Sequence, residues 1–112
     1  MRSRAIAGTL ATFVLAGCAA IPAFASVGGH AASGHTVVIE HSKFIPGTLT
    51  VRRGDTVTWS WRDGRVNHNV VASGFRSKVQ SRGSFTVRFT HSGSFAYRCT
   101  VHPKMSGRIV VR

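Results

Sequence analysis

Near its C-terminal end the chain reads Tyr97-Arg98-Cys99-Thr100-Val101-His102-Pro103-Lys104-Met105-Ser106-Gly107, setting a thiol, an imidazole and a thioether at three-residue intervals. A tight loop of that spacing can turn all three side chains toward one point, and Pro103 stiffens it. His68 offers a second imidazole from an upstream loop. One thiolate, two imidazoles and a weak thioether form the donor set of a type 1 copper site, with His68, Cys99 and His102 in a trigonal plane and Met105 as the distant axial sulfur. Zinc suits this set poorly, because its sites draw on Cys, His and carboxylate and not on Met. Thiolate and imidazole satisfy both copper oxidation states, so the expected chemistry is one-electron transfer with little rearrangement.

Each residue alone has a plainer explanation: His68 as a surface-loop histidine, Met105 as a core gap-filler, Cys99 as a small buried hydrophobe. Their combination on one loop between two strands, with a further histidine opening an upstream strand, is far more specific.

The elements that must position these donors read as β-structure. Period-two alternation runs through Val37/Ile39, Leu49/Val51, Val57/Trp59/Trp61, Phe85/Val87/Phe89, Phe95/Tyr97/Cys99 and Ile109/Val111, the signature of half-buried strands. A further strand is expected over Asn69 to Ala72, and no segment reads as an amphipathic helix of useful length. Breaks fall at Pro46-Gly47, Gly54-Asp55, Asp63-Gly64, Ser73-Gly74, Arg82-Gly83 and Ser92-Gly93, which are turn-forming pairs. About seven or eight short strands with such punctuation predict an all-β Greek-key sandwich. Its core should include Trp59, Phe85, Phe89, Phe95, Ile109 and Val111. Cys99 shares parity with Phe95 and Tyr97, which points it into the end of the sandwich.

Residues 1–25 read as an export signal: Arg2 and Arg4 precede an apolar stretch from Ala5 to Gly17, and Ala23-Phe24-Ala25 fits a small-x-small cleavage site. Leu15-Ala16-Gly17-Cys18 also resembles the bacterial lipobox, so either cleavage precedes Ser26 or the protein is lipid-anchored through Cys18. The expected location is periplasmic or extracellular in both cases. Residues 26–34 form a small, polar, flexible tether, in which His30, with His35 just beyond it, reads as solvated. Residues 35–112 form the copper-binding domain. Cys18 is outside that domain under either processing route, which leaves Cys99 as an unpaired thiol in an oxidising compartment, where cysteines normally pair. A bound metal accounts for it.

Composition narrows the function further. Only Glu40, Asp55 and Asp63 supply carboxylates against 15 Lys and Arg, for a net charge of +12, so an enzyme built on paired carboxylates has little to draw on. Cys99 and His102 as a nucleophile and base lack an orienting third group. The charge is scattered and carries no aromatic stacking motif, which argues against nucleic acid. It fits an acidic redox protein partner, or contact with anionic lipid or cell-wall polymer. A monomer is expected.

The chain resembles the cupredoxins over residues 35–112. The resemblance lies in Gly54-Asp55-Thr56-Val57-Thr58-Trp59, His68-Asn69-Val70, Gly83-Ser84-Phe85, and the loop from Cys99 through Gly107-x-Ile109-Val110-Val111. The Cys-x-x-His-x-x-Met spacing is similar to that of the amicyanin branch, whereas plastocyanins usually carry a longer gap to Met. The resemblance implies His68, Cys99, His102 and Met105 as ligands of one type 1 copper ion. It also implies that Asn69 braces the two ligand loops near the cysteine sulfur. Two departures stand out: Asn67 occupies the place of a proline that commonly precedes the first histidine, and Val101 the place of a proline in the ligand loop. The implied function is a non-enzymatic electron shuttle outside the cytoplasmic membrane. A copper carrier or sequestering protein is the alternative.

Overall fold

A computed structural model describes residues 31–112. The expected export signal, Cys18 and residues 26–30 of the tether lie outside the described residues.

Seven strands follow in order: β1 Gly34–Glu40, β2 Lys43–Ile45, β3 Thr48–Val51, β4 Thr56–Trp61, β5 Gly83–Arg88, β6 Gly93–Arg98 and β7 Ser106–Val111. One sheet has the order β2-β1-β4-β5 and the other β3-β7-β6. Parallel pairs, β1 with β4 and β3 with β7, sit beside antiparallel ones, so both sheets are mixed. No helix occurs among the described residues.

The alternation that marks the strands also builds the core. Val37, Ile39, Val57, Trp59 and Trp61 from the first sheet meet Val51, Tyr97, Ile109 and Val111 from the second in one buried cluster. Burying each Val or Ile contributes about 1.5–3 kcal/mol by transfer from water. The Trp59 and Tyr97 rings cross between the sheets edge to face, with centroids 5.2 Å apart. Of the expected core, Trp59, Phe89, Ile109 and Val111 are buried, while Phe85 and Phe95 are only partly so. Those two lie on β5 and β6, each an edge strand of its sheet, where one flank has no neighbouring strand to cover it.

Three local features stand out, and the first and last correct the sequence reading. Asn69–Ala72 is not a regular strand. His68 pairs with Gln80 and Val71 with both Arg76 and Arg98 as isolated bridges, so this segment divides its hydrogen bonds between a local hairpin and β6. The last strand begins at Ser106, because Arg98 and Tyr97 already pair with Ser106 and Gly107. A Cβ at Gly107 would collide with the Tyr97 phenol, so glycine is the residue that lets the chain re-enter the sheet against that ring. Finally, β1 begins at Gly34, and His35 is not a solvated linker residue. Its Nε2 lies 2.9 Å from the Asp55 carboxylate.

Candidate metal centre

β1 and β4 run parallel, so the chain enters the sandwich at one end, the base, and β4 delivers residues 62–68 to the other. β6 delivers Cys99 to that same far end, and β7 starts there. The topology therefore gathers the two candidate loops at one pole.

His68 is completely buried and held on every side. Its backbone N–H donates to Gln80 O at 2.9 Å, and its carbonyl accepts from Gln80 N at 3.0 Å and from the Trp61 indole N–H at 3.0 Å. Its ring Nε2 lies 2.8 Å from Asp63 Oδ2. The sequence reads Trp61 as a strand residue on the face of Val57 and Trp59, and Asp63 as part of a turn. Neither bracing contact carries a local signal, although a carboxylate five residues before a candidate ligand could have drawn notice.

The second loop is closed by Cys99 N–H donating to Met105 O at 2.9 Å, and Lys104 takes a left-handed φ of 68° within it. Cys99 and Met105 are each 4% exposed, while His102 is half-buried and reaches the surface. Asn69 ties the two loops together: its Nδ2 donates to Thr100 Oγ1 at 2.8 Å, and its Oδ1 accepts Thr100 N–H at 2.7 Å. A further donor reaches the sulfur itself, since Val101 N–H points at Cys99 Sγ from 3.4 Å.

His68 Nδ1 lies 3.9 Å from Cys99 Sγ and His102 Nδ1 lies 3.7 Å from it. The three donor atoms all fall within 4.8 Å of one another, the one such cluster among the described residues. Metal–nitrogen bonds of about 2.0 Å and metal–sulfur bonds of about 2.3 Å, as at zinc, meeting at about 120° would separate sulfur from nitrogen by about 3.7 Å. A first-row ion therefore fits the space these residues leave, and a thiolate with two imidazoles suits copper. Met105 closes the loop on the core side, packed in the buried cluster.

One carboxylate, that of Asp63, lies against the His68 ring. The hydrogen bond to His68 and then the one from Ser42 N–H hold the Asp63 carboxyl below the ordinary carboxylate range. Deeper in, burial raises the pKa of the Tyr97 phenol.

Comparison with known proteins agrees with this geometry. Residues 32–112 match the family described as copper binding proteins, plastocyanin/azurin family. The chain is 32% identical over 111 residues to amicyanin of Paracoccus denitrificans, covering 90% of this chain and 84% of that one. It is 31% identical over 119 residues to amicyanin-alpha of Methylorubrum extorquens, covering 99% of each. Among solved structures, an oxidised amicyanin variant superimposes with a TM-score of 0.66 at 32% identity, over 70% of this chain and 82% of the other. A purple cupredoxin from Nitrosopumilus maritimus shares the fold, with a TM-score of 0.65 at 24% identity over 70% and 99% of the two chains. The chain thus belongs to the copper-binding plastocyanin/azurin family, as an amicyanin-like cupredoxin with an all-β Greek-key sandwich and one type 1 copper ion as its cofactor.

Proposed function

We propose that His68, Cys99, His102 and Met105 hold the copper, and that the protein shuttles single electrons outside the cytoplasmic membrane with no catalytic turnover of its own. The observation that carries this reading is the convergence of His68 Nδ1, Cys99 Sγ and His102 Nδ1 within 4.8 Å. Copper supplies the one-electron Cu(I)/Cu(II) couple; the chain supplies a rigid frame. Buried His68 is locked by Asp63, Gln80 and Trp61, and Asn69 pins Thr100 beside Cys99. Such bracing limits relaxation between oxidation states, which favours electron transfer. A carrier that hands its metal on needs ligands that open, and only half-buried His102 has that freedom.

Electrons would pass through the His102 side, where Val66 and Val101 expose apolar surface at 39% and 41%. Exposed Arg65 and Lys104 lie on the same two loops, which suits an acidic redox protein. The cationic base of the sandwich, with Arg53, Arg88 and Arg112, is the counterpart that would meet anionic lipid or cell-wall polymer. The domain works as a monomer.

Addition of Cu(II) to the apo-protein tests the reading. An intense visible thiolate-to-copper band, a narrow copper hyperfine splitting and a reversible one-electron wave are expected. A colourless protein that takes up only Cu(I) and releases it readily to a chelator would establish the carrier instead. N-terminal sequencing of the exported protein separates cleavage before Ser26 from modification at Cys18.

A further inference from the structure

Asp63 stands where β4 has just ended. Arg62 N–H still donates to Ile39 O at 2.8 Å, extending the ladder, and Val66 N–H closes a turn onto Asp63 O at 3.0 Å. This backbone arrangement fixes where the carboxylate sits. Its Oδ2 accepts from Ser42 N–H at 3.0 Å and lies 2.8 Å from His68 Nε2. Ser42 belongs to the two-residue turn between β1 and β2, in which His41 and Ser42 both take a φ of 55°. That left-handed pair is the turn geometry that suits a tight hairpin, usually reached with glycine or asparagine. Here it aims Ser42 N–H at Asp63, so the carboxylate is gripped from a part of the chain 21 residues away.

An ionised carboxylate can only accept, so the proton between Asp63 and His68 rides on Nε2. In neutral imidazole the other nitrogen then carries the lone pair, and that nitrogen is the one 3.9 Å from Cys99 Sγ. The ring is fully buried while the Asp63 side chain is 17% exposed, so the carboxylate sits at the edge of a low-dielectric site with its charge only partly screened.

We propose that Asp63 is a positioning residue of the metal centre: it locks His68 in the Nε2–H tautomer, with Nδ1 ready to bind before any metal arrives, and it makes that nitrogen a stronger donor. A stronger donor favours Cu(II) over Cu(I), so Asp63 holds the reduction potential down. Ser42 N–H holds the carboxylate oxygen against the His68 ring. The inference rests on His68 being a ligand, as proposed above.

Two variants and two readouts test it. Asp63→Asn keeps an acceptor oxygen for both donors but removes the charge. It should retain one copper and lose about tenfold in Cu(II) affinity relative to Cu(I), which is a rise in potential of about 59 mV for a one-electron couple. Asp63→Ala removes the acceptor, and nitrogen NMR of the metal-free protein should then show His68 as a mixture of tautomers, where the unchanged protein shows only Nε2–H. An unchanged potential in Asp63→Asn overturns the proposal, as does a lone Nε2–H tautomer in Asp63→Ala. His68→Gly, measured alongside, keeps the two readings apart: an intact blue band there removes His68 from the ligand set, whereas the tautomer of the metal-free protein is read without copper.

Discussion

The sandwich carries an Asp–His pair at each end, and the two do different work. At the base, Asp55 is 1% exposed and its carboxylate is shared out among structural donors: Ser33 N–H at 2.9 Å, Arg52 N–H at 3.0 Å and His35 Nε2 at 2.9 Å. At the metal end, Asp63 is the partly exposed member and His68 the buried one. The six residues of β4 lie between the two carboxylates, a span of about 20 Å. His35 and His68 share one residue type and nearly the same partner distance. What separates them is the surroundings of the ring, since only His68 joins a cluster with Cys99 and His102. The base pair fastens the start of β1 to the turn before β4, and the upper pair aims a ligand. A carboxylate beside a histidine is therefore no sign of a metal site until something faces the second nitrogen.

This comparison is broken most directly at the sulfur. Cys99→Ser should abolish the visible band outright, because a hydroxyl cannot supply the soft thiolate. The metal-free fold should survive at a cost of about 1 kcal/mol for the buried hydroxyl, measured by urea denaturation. A blue protein from this variant would move the site elsewhere.

Asp55→Ala is the converse experiment and has the next largest effect. Removing the carboxylate strands backbone donors that it satisfies at the base, at a cost of about 3 kcal/mol. Copper bound to the folded fraction should keep its spectrum and potential. If the visible band shifts together with the unfolding midpoint, the two ends of the sandwich are coupled and the division of labour fails.

How much of this was legible in the chain depends on range. Strand positions and inward parity follow from local alternation, which is why Val57, Trp59, Tyr97 and Cys99 all face the core as expected. The Cys99, His102 and Met105 spacing is local as well, and it places all three on one loop. What escaped lies between elements, joining residues from seven to 31 positions apart. Asp63 looks like a turn residue until Ser42 comes to it through the β1–β2 hairpin, and Trp61 looks like a core residue until its indole N–H meets the His68 carbonyl. His35 looked like linker because glycine and serine surround it, and only the β1–β4 register brings it to Asp55. Asn69 was legible only through family resemblance, because its partner lies 31 residues away at Thr100.

The finest comparison lies inside the ligand loop, between the residues on either side of His102. Pro103 follows it, but Val101 precedes it, in a place where the resemblance leads one to expect a second proline. Valine keeps a backbone N–H that proline lacks, and that N–H donates to Cys99 Sγ at 3.4 Å. The contact draws density from the thiolate and stabilises the reduced site, whose net negative charge is larger, more than the oxidised one. Val101→Pro should therefore lower the potential and move the visible band to lower energy. The bond is long, so a differential of roughly 0.5–1 kcal/mol is reasonable for it, equal to about 20–45 mV. Voltammetry on the copper-loaded variant reads this directly, and urea denaturation of its metal-free form controls for damage to the loop. With the Asn69–Thr100 bonds intact and the fold unharmed, an unchanged potential would mean that the Val101 N–H does not tune the thiolate. A potential that falls, beside one that rises in Asp63→Asn, would show the chain pulling its copper in opposite directions from the two ligand loops.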